Sequence, residues 1–261
     1  MNDKIDMHLH TDYSDGLLSP KQMVEYCFAK GIDEMAITDH DTVEGIFEAK
    51  REAERLRIKF HTGVEISTHM NFEGKFIGLH LLGYDIDVGN TKLNGIFSYL
   101  RRCRQKTNER VFELVESDFG IGREEILKSK NTDYIGKPDI GRIMVKKGIF
   151  ASLEESFEKY FNVGEMARIN RKSIDIDEAI DGIVDSGGFA VLAHPAFIKI
   201  GERGSAERFS AVESIVKKVK SKGVIGIEAM YLRNEERETE FLCELADRED
   251  MIITRGSDYH G

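Results

Sequence analysis

Residues 4–16 read KIDMHLHTDYSDG, a short alternating segment that ends in a polar turn. The alternation predicts a β-strand over 5–10, and the apolar spacing of the segment after it predicts a helix over 20–30. In a strand, His8 and His10 point to the same side while Leu9 points away, so one metal ion can bind both imidazoles. The chain therefore begins with a strand–helix unit whose strand ends on two candidate metal ligands.

The same strand–helix alternation recurs along the chain. The sequence predicts six further strands, over 34–38, 59–66, 75–84, 188–193, 226–231 and 251–257, and further helices over 43–56, 176–186, 211–220 and 234–248. A hairpin turn is predicted at 71–74. Repeated βα units predict an α/β fold with parallel strands buried on both faces, either in an open doubly wound sheet or in a closed barrel.

The segment 91–172 has a different character. Its charge density rises and helical spacing of apolar residues dominates, first from Ile96 to Val115 and again from Ile140 to Met144. We interpret this segment as a helical insertion. The residues on either side of it, 1–90 and 173–261, then form one domain.

Composition narrows the function classes. The 261 residues carry a formal net charge of -10, which disfavours bulk coating of nucleic acid. Apolar runs are too short for a membrane helix and the start lacks the apolar stretch of a secretion signal, so we predict a cytoplasmic protein with no membrane partner. Cys27, Cys103 and Cys243 have no metal-site or disulfide spacing and are interpreted as packing thiols. No glycine-rich nucleotide-binding motif occurs.

Residues able to bind metal ions lie at the ends of the predicted strands or just after them, except His80, which lies on the fourth strand. After His8 and His10 they are Asp15, Asp39, His40, Glu65, His80, His194, Asp258 and His260. In a closed βα barrel the carboxyl ends of the strands converge on one face, so we expect one shared site. Imidazole and carboxylate without thiolate suit Mn²⁺, Fe²⁺ or Zn²⁺, and this many ligands predict two or three ions. Clustered ions activate water and neutralise charge on an ester, which favours hydrolysis.

Several of these residues also have ordinary structural interpretations. Asp15 could form an Asx-turn, and Asp41 or Thr42 could cap the next helix. His80 lies between two leucines, where a buried neutral histidine is an equally good interpretation. Asp39 could orient a liganding histidine instead of acting in the reaction.

The motifs, taken in order, resemble those of the PHP (polymerase and histidinol phosphatase) family. They are HxHTxxSDG at 8–16, ITDHD at 37–41, GVEI at 63–66, HLLGY at 80–84, AHP at 193–195 and GSDYHG at 256–261. The resemblance implies a distorted seven-stranded (β/α)7 TIM-like barrel. It also implies a stand-alone metal-dependent phosphoesterase acting on a small phosphomonoester, a nucleotide such as a nucleoside 3′,5′-bisphosphate, with metal-activated water as the nucleophile.

The resemblance further implies a division of the ligands among the metal ions. One ion would be held by His8, His10, Glu65 and Asp258, a second by Asp15, His40 and His260, and a third by Glu65, His80 and His194. Proton transfer would fall to His194 or Asp39.

The insertion is expected to cap the barrel mouth and to contact the substrate. The candidate residues are Lys137, Arg142, Arg168, Arg171 and Lys172. At 136–139 the chain reads GKPD where relatives often carry GRPH, so Lys137 and Asp139 depart from the family pattern.

Three alternatives remain open at the level of sequence. The same site could serve a 5′-3′ exonuclease on short RNA or DNA. A metal-binding module without catalysis would keep the ligands but show no turnover. An amidohydrolase shares HxH and a late aspartate, although this chain has no candidate for a carbamylated lysine at a strand end. No obligate protein partner is predicted.

Overall fold

The strands and helices follow the predicted order. The computed structural model describes residues 4–130, 132, 134–169 and 173–261. The strands are β1 Ile5–Asp6, β2 Glu34–Ile37, β3 Lys59–Phe72, β4 Lys75–Tyr84, β5 Ile174–Asp175, β6 Phe189–Leu192, β7 Gly226–Tyr231 and β8 Ile252–Gly256. The α-helices are α1 Pro20–Ala29, α2 Ile46–Leu56, α3 Thr91–Phe119, α4 Arg123–Leu127, α5 Lys137–Lys146, α6 Leu153–Ser156, α7 Gly164–Arg168, α8 Ile176–Asp185, α9 Ala206–Lys220 and α10 Glu236–Arg248. A π-helical turn covers Phe157–Phe161 and a 3-10 turn covers Pro195–Phe197.

Seven of the strands form a nearly closed barrel in the order β1-β2-β3-β4-β6-β7-β8. Closure between the first and last strands rests on backbone hydrogen bonds from Met7 N to Arg255 O, 2.9 Å, and from His10 N to Tyr259 O, 3.0 Å. The short β5 pairs with β3 outside this ring. The predicted seven-stranded α/β barrel is therefore confirmed.

The prediction of parallel strands is wrong for β4. This strand pairs antiparallel with both of its neighbours, β3 and β6. The predicted turn at 71–74 is the cause, because a tight hairpin can only join antiparallel strands. A second difference is length, since β3 continues six residues past the predicted end at Ile66 and the β3–β4 hairpin extends beyond the barrel.

Alternate residues of the strands enter two apolar clusters. Met35 and Ile37 of β2 and Leu192 of β6 pack with the helices in the main core, whereas Ala36 and Val191 join a smaller cluster with Leu82 and Tyr84. This period-2 division is what a barrel covered by helices requires.

Local sequence signals set the ends of two of the helices. Ser19 caps α1 because its Oγ accepts a hydrogen bond from Gln22 N, and Ser19 N in turn donates one to Gln22 Oε1. Pro20 occupies the first turn. Asn90 caps α3, and Gly120 ends that helix in the left-handed conformation.

The long helix α3 takes part in two hydrophobic cores. Its residues Leu93, Ile96 and Leu100 pack in the main core, whereas Val111 and Val115 belong to a separate cluster. The separate cluster also includes Ile126 of α4, Ile140 of α5 and Met166 of α7. The helices between α3 and β5 thus have a hydrophobic core of their own.

Two sequence predictions concern the chain as a whole. Among the described residues, none of the helices is both long and apolar enough to cross a membrane. Cys27, Cys103 and Cys243 are free thiols, the first two buried, as the packing interpretation requires.

Candidate metal centre

The predicted ligands meet at one end of the barrel. His8 and His10 follow β1, Asp15 lies in the turn after them, and His40 follows β2. Glu65 and His80 lie within β3 and β4, His194 follows β6, and Asp258 and His260 follow β8. Ligand atoms of three groups lie within 4.8 Å of one another: His8, His10, Glu65 and Asp258; His10, Asp15, His40 and His260; His40, Glu65 and His80.

The carboxylate of Glu65 is the common element of these groups. Its Oε2 lies 3.2 Å from His8 Nε2, 3.2 Å from His10 Nε2 and 3.0 Å from His40 Nδ1. Its Oε1 lies 2.8 Å from His80 Nδ1 and 3.0 Å from His194 Nε2. The side chain is 1% exposed, so this carboxylate is surrounded by imidazoles and shielded from bulk water.

The reversed direction of β4 explains how His80 reaches the site. Ser67 of β3 pairs with His80, so His80 lies two pairs beyond the pair of Glu65 with Leu82, towards the carboxyl end of β3 and on the same face. A mid-strand residue of β4 is thus level with the strand ends of the barrel. His80 contacts Glu65 and is partly exposed, which does not fit the interpretation as a core histidine.

Asp15 faces the site and does not form an Asx-turn. Backbone hydrogen bonds from Ser14 N and Gly16 N to Thr11 O build the turn. The Asp15 carboxylate lies 3.2 Å from His260 Nε2 and 3.8 Å from His40 Nε2. Its burial and its imidazole neighbours match the role of a ligand.

The site's donor set fits divalent metal ions. Asp15 Oδ1, His40 Nδ1 and Glu65 Oε2 are buried and make no hydrogen bond to the described residues. His40 Nδ1 and Glu65 Oε2 are 3.0 Å apart, yet they do not have hydrogen-bond geometry. Buried polar atoms without partners are costly, and a cation bound between them would satisfy them. Nitrogen and oxygen donors of this kind suit Mn²⁺, Fe²⁺ and Zn²⁺.

Mutual charge shifts the pKa values of the site. Burial lowers the pKa of His10, but the Asp258 and Glu65 carboxylates outweigh burial and raise it to about 10. Burial lowers the pKa of His40 to about 3, although the nearby Glu65 and Asp15 carboxylates act to raise it. Burial raises the pKa of Asp15, but the surrounding histidines hold it well below its usual range. Without metal, protons on histidines such as His10 offset part of the negative charge of the carboxylates.

Glu228 is a site residue that the sequence analysis missed. Its Oε1 lies 2.9 Å from His8 Nδ1, and its Oε2 accepts a hydrogen bond from the backbone N of His194 at 2.8 Å. It is fully buried in β7. The available signal was an acidic residue inside the apolar segment 226–231. Glu228 fixes the ring of one candidate ligand and the backbone of another.

Asp39 holds the first loop. It accepts hydrogen bonds from Thr11 N and Thr11 Oγ1, both at 2.6 Å, and from Ser14 Oγ at 2.7 Å. Ser14 Oγ in turn lies 3.4 Å from His10 Nδ1. Asp39 therefore supports the loop and, through Ser14, the ring of His10.

Two glycines of the motifs are required by close backbone approach. A Cβ at Gly256 would lie 2.2 Å from His8 Cβ and 2.4 Å from Glu228 Oε1. A Cβ at Gly16 would lie 2.2 Å from His10 O. Three non-glycine residues of the site have positive φ, namely Asp41, His194 and Asp258. Such strained residues concentrate at functional sites.

The insertion contacts the loops that carry the ligands. Lys130 Nζ donates to Ser14 O and lies 3.2 Å from Asp139 Oδ1, and Thr132 Oγ1 donates to Asp12 O at 2.8 Å. From α3, Arg104 forms a buried ion pair with Asp41. Asp41 also accepts hydrogen bonds from Ser67, so it does not cap α2, whose N-cap residue is Gly45.

The predicted substrate-binding residues lie in different surroundings. Arg142 lines a cavity of about 530 Å³ together with Asp12 and Gly16, next to the first loop. Lys137 Nζ donates to the carbonyls of Phe161 and Met166 within the insertion. Arg168 is exposed at the end of α7. Arg171 and Lys172 lie outside the described residues.

Comparisons with known proteins agree with this geometry. A family model of the PHP domain matches residues 6–232. A 5′-3′ exoribonuclease from Haemophilus influenzae is 29% identical over 260 residues, which cover 100% of this chain and 91% of that protein. A 3′,5′-nucleoside bisphosphate phosphatase from Chromobacterium violaceum is 26% identical over 258 residues, which cover 98% of this chain and 87% of that protein.

Solved structures are similar over the whole fold. An amidohydrolase from Chromobacterium violaceum, solved with bound sulfate and no metal, superposes with a TM-score of 0.88 at 26% identity, covering 98% of this chain and 87% of the other. A protein from Bifidobacterium adolescentis described as a metal-dependent phosphoesterase has a TM-score of 0.84 at 28% identity, with the same coverage of 98% and 87%.

Proposed function

The chain belongs to the PHP domain family, and from that premise we propose that it is a metal-dependent phosphoesterase, a hydrolase that acts on a small phosphomonoester. The favoured substrate is a nucleotide such as a nucleoside 3′,5′-bisphosphate. The observation that carries the proposal is the ring of imidazoles and carboxylates around Glu65 at the barrel mouth. Divalent ions bound there would lower the pKa of water and neutralise charge on a phosphoryl group.

The chain's own residues have distinct tasks in this proposal. His8, His10, Glu65 and Asp258 would hold one ion, and Asp15, His40 and His260 a second. His80 and His194, which both contact Glu65 Oε1, are the ligands proposed for a third. The number of ions, two or three, and their identity among Mn²⁺, Fe²⁺ and Zn²⁺ belong to the proposal.

Of the two residues proposed for proton transfer, His194 is better placed than Asp39. The His194 side chain is partly exposed, whereas Asp39 is buried and accepts three hydrogen bonds from Thr11 and Ser14. If only two ions are bound, His194 carries no metal, and we then assign it to deliver a proton to the leaving oxygen. Asp39 is assigned to position the first loop.

The segment 91–172 is proposed to cap the barrel mouth. Its contacts through Lys130, Thr132 and Arg104 fasten it to the loops that carry Asp15 and Asp41. Arg142 is the favoured phosphate-binding residue because it lines the cavity next to the first loop. Contact of Lys137 and Arg168 with substrate stays a prediction, as does the cytoplasmic location.

A 5′-3′ exoribonuclease is the second candidate. It is favoured by the relative from Haemophilus influenzae, which carries that name and aligns with the whole chain. Both candidates use the same metal centre and differ in the substrate that reaches it. The comparisons also include a protein named as an amidohydrolase, so an amide belongs in the test.

One experiment separates these candidates. Protein reconstituted with Mn²⁺, with bound metal measured, is given nucleoside bisphosphates, nucleoside monophosphates, histidinol phosphate, 5′-phosphorylated oligonucleotides and an amide panel. Fast phosphate release from one small phosphomonoester supports the main proposal, and stepwise shortening of oligonucleotides supports the second. The His8→Ala, Glu65→Ala and Asp258→Ala variants should lose turnover. Metal-loaded protein that cleaves no phosphoester would overturn both.

A further inference from the structure

The β3–β4 hairpin carries a wall of side chains outward from the metal centre. Residues paired across antiparallel strands point to the same face, and the pairs alternate between faces. Beyond Glu65 and His80, that face continues with Ser67, His69 and Asn71 of β3 and with Gly78 and Phe76 of β4. The metal centre and the end of the hairpin therefore share one continuous surface.

The two faces of the hairpin differ in burial. Thr68, Met70 and Leu79, on the far face, are buried against the body of the protein. On the face that carries His80, the Phe76 ring is 75% exposed and Gly78 is exposed. The hairpin therefore buries one face and exposes the other. The exposed face, which carries Phe76, has room for a ligand.

His69 and Phe76 form an aromatic pair on the open face. Their ring centroids are 5.5 Å apart with an interplanar angle of 68°. His69 Nδ1 lies 2.9 Å from Ser173 Oγ, which fixes the orientation of the imidazole. A Cβ at Gly78 would have no neighbour within 4 Å, so the surface between His80 and Phe76 is unobstructed there.

We propose that the His69–Phe76 pair is a nucleobase-stacking platform for the substrate whose phosphate lies at the metal centre. The inference rests on the proposed function and makes its substrate class more specific. At about 3.3 Å per strand residue, His69 and Gly78 lie about 7 Å from the His80 pair, and Phe76 lies about 13 Å from it. These distances suit the base of the same nucleotide or of the next one along the strand.

Aromatic stacking explains why the ring at this position can be exposed. Stacking of a base on an aromatic side chain tolerates any base and contributes affinity without base-specific hydrogen bonds. A phosphate held by metal ions and a base held by Phe76 would together select nucleotides over base-free sugar phosphates.

A tryptophan substitution tests the platform directly. The chain contains no Trp, so Phe76→Trp introduces a single fluorophore at the site, and Phe47→Trp, at an exposed phenylalanine of α2, is the matched control. On Mn²⁺-loaded protein, AMP should quench the emission of the Phe76→Trp variant, whereas ribose 5-phosphate should not. Neither compound should change the emission of the control. Equal quenching of both variants, or none in either, overturns the proposal.

Kinetics of the Phe76→Ala variant separate this inference from the proposed function. On the nucleotide that the wild type hydrolyses best, KM should rise about tenfold with kcat nearly unchanged, and Phe47→Ala should behave as the wild type. On the abasic counterpart of that substrate, wild type and Phe76→Ala should be equal. An active wild type with no difference between variants overturns the platform alone, whereas an inactive wild type contradicts the proposed function. Dimers that bury Phe76, with no nucleotide effect, would assign this face to a second copy.

Discussion

Glu65 is the residue on which we expect the candidate metal centre to depend most. Its two carboxylate oxygens lie within 3.2 Å of the imidazole nitrogens of five histidines. These histidines lie on, or directly after, four different strands. A buried carboxylate in this position is stabilised only if the positive charge around it persists, as protons or as metal ions. Its charge and both of its oxygens are therefore needed.

The Glu65→Gln variant should lose activity by about 1000-fold or more. An amide cannot bridge two cations with two anionic oxygens, and losing several kcal/mol of charge stabilisation corresponds to that factor. Bound metal per chain should also fall. Glu34→Gln is the matched control, because Glu34 also contacts a histidine, His61, but at the far end of β2. Turnover within tenfold of the wild type in Glu65→Gln would contradict the assignment.

Glu228 contacts two candidate ligands, His8 and His194, and we expect it to affect the proposed reaction through them. Replacing it with Gln removes the charge that orients the His8 ring and weakens the acceptor for His194 N. Carboxylates behind metal-bound histidines typically affect metal affinity or activity by about 10- to 100-fold, and we expect a loss of that size in Glu228→Gln.

Metal titration distinguishes positioning from ligation. Excess Mn²⁺ should restore much of the activity of Glu228→Gln, because its ligands remain. It should not restore Glu65→Gln. A Glu228→Gln variant that binds metal normally and works at the wild-type rate would remove Glu228 from the site's function.

The raised pKa of His10 predicts that metal binding releases a proton. Its pKa, raised to about 10 by Asp258 and Glu65 against the effect of burial, leaves the ring protonated at pH 8 in the metal-free protein. Ligation requires the neutral imidazole, so metal binding must displace that proton. Adding Mn²⁺ to metal-free protein in weakly buffered solution at pH 8 should lower the pH, and no pH change beyond that of the Glu65→Gln control would contradict this protonation state.

At the scale of elements, the direction of β4 shows which features of the barrel the sequence could predict and which it could not. The alternation of residues identified every barrel strand, because strand periodicity is local. Whether a strand runs parallel or antiparallel depends on the connection, and only the hairpin turn at 71–74 carried that information. The sequence therefore identified His80 as a candidate, but its position two pairs beyond Glu65 followed only from the structure.

Glu228 shows the corresponding limit for the site. The liganding candidates stood out because they lie at predicted strand ends within recognisable motifs. Glu228 lies inside β7, and an acidic residue there gives no indication of its partner until the fold brings β7 beside β1 through β8. Contacts between residues far apart in sequence, such as that of His8 with Glu228, are set by tertiary structure and are absent from local patterns.

The ion pair between α3 and the loop after β2 should contribute measurably to the free energy of unfolding. Arg104 pairs with Asp41 and donates to Tyr134 Oη at 2.7 Å, with both members of the ion pair buried. Arg104→Met leaves the Asp41 charge buried without its cation, which should lower the free energy of unfolding by about 3 kcal/mol or more.

The same helix provides the control for this prediction. Arg101, three residues earlier, pairs with Glu44 at the surface, so Arg101→Met should cost less than about 1 kcal/mol. Denaturant unfolding of both variants measures the difference. Equal stability of the two would show that the buried pair is not what fastens α3 to the barrel.

At the scale of the whole molecule, we expect metal binding to stabilise the barrel together with the insertion that contacts its ligand-bearing loops. The main core packs the barrel against its helices, and the insertion has its own cluster, joined to the barrel by α3 and by contacts to the ligand-bearing loops. Nine ligand candidates from both ends of the sequence meet in the barrel mouth. Ions bound there would hold together strands that are distant along the chain.

Metal removal should therefore lower the stability of the whole chain and not only its activity. A ligand at 100 times its dissociation constant stabilises the folded state by about 2.7 kcal/mol, which corresponds to a rise in Tm of about 5–10 °C for a chain of this size. Chelated protein should melt lower by about that amount, and Mn²⁺ or Zn²⁺ should restore the loss. The Arg104→Met variant should show the same metal-dependent shift from a lower starting Tm, whereas Glu65→Gln should show little. A wild-type Tm that neither ion changes would contradict a metal centre built from these residues.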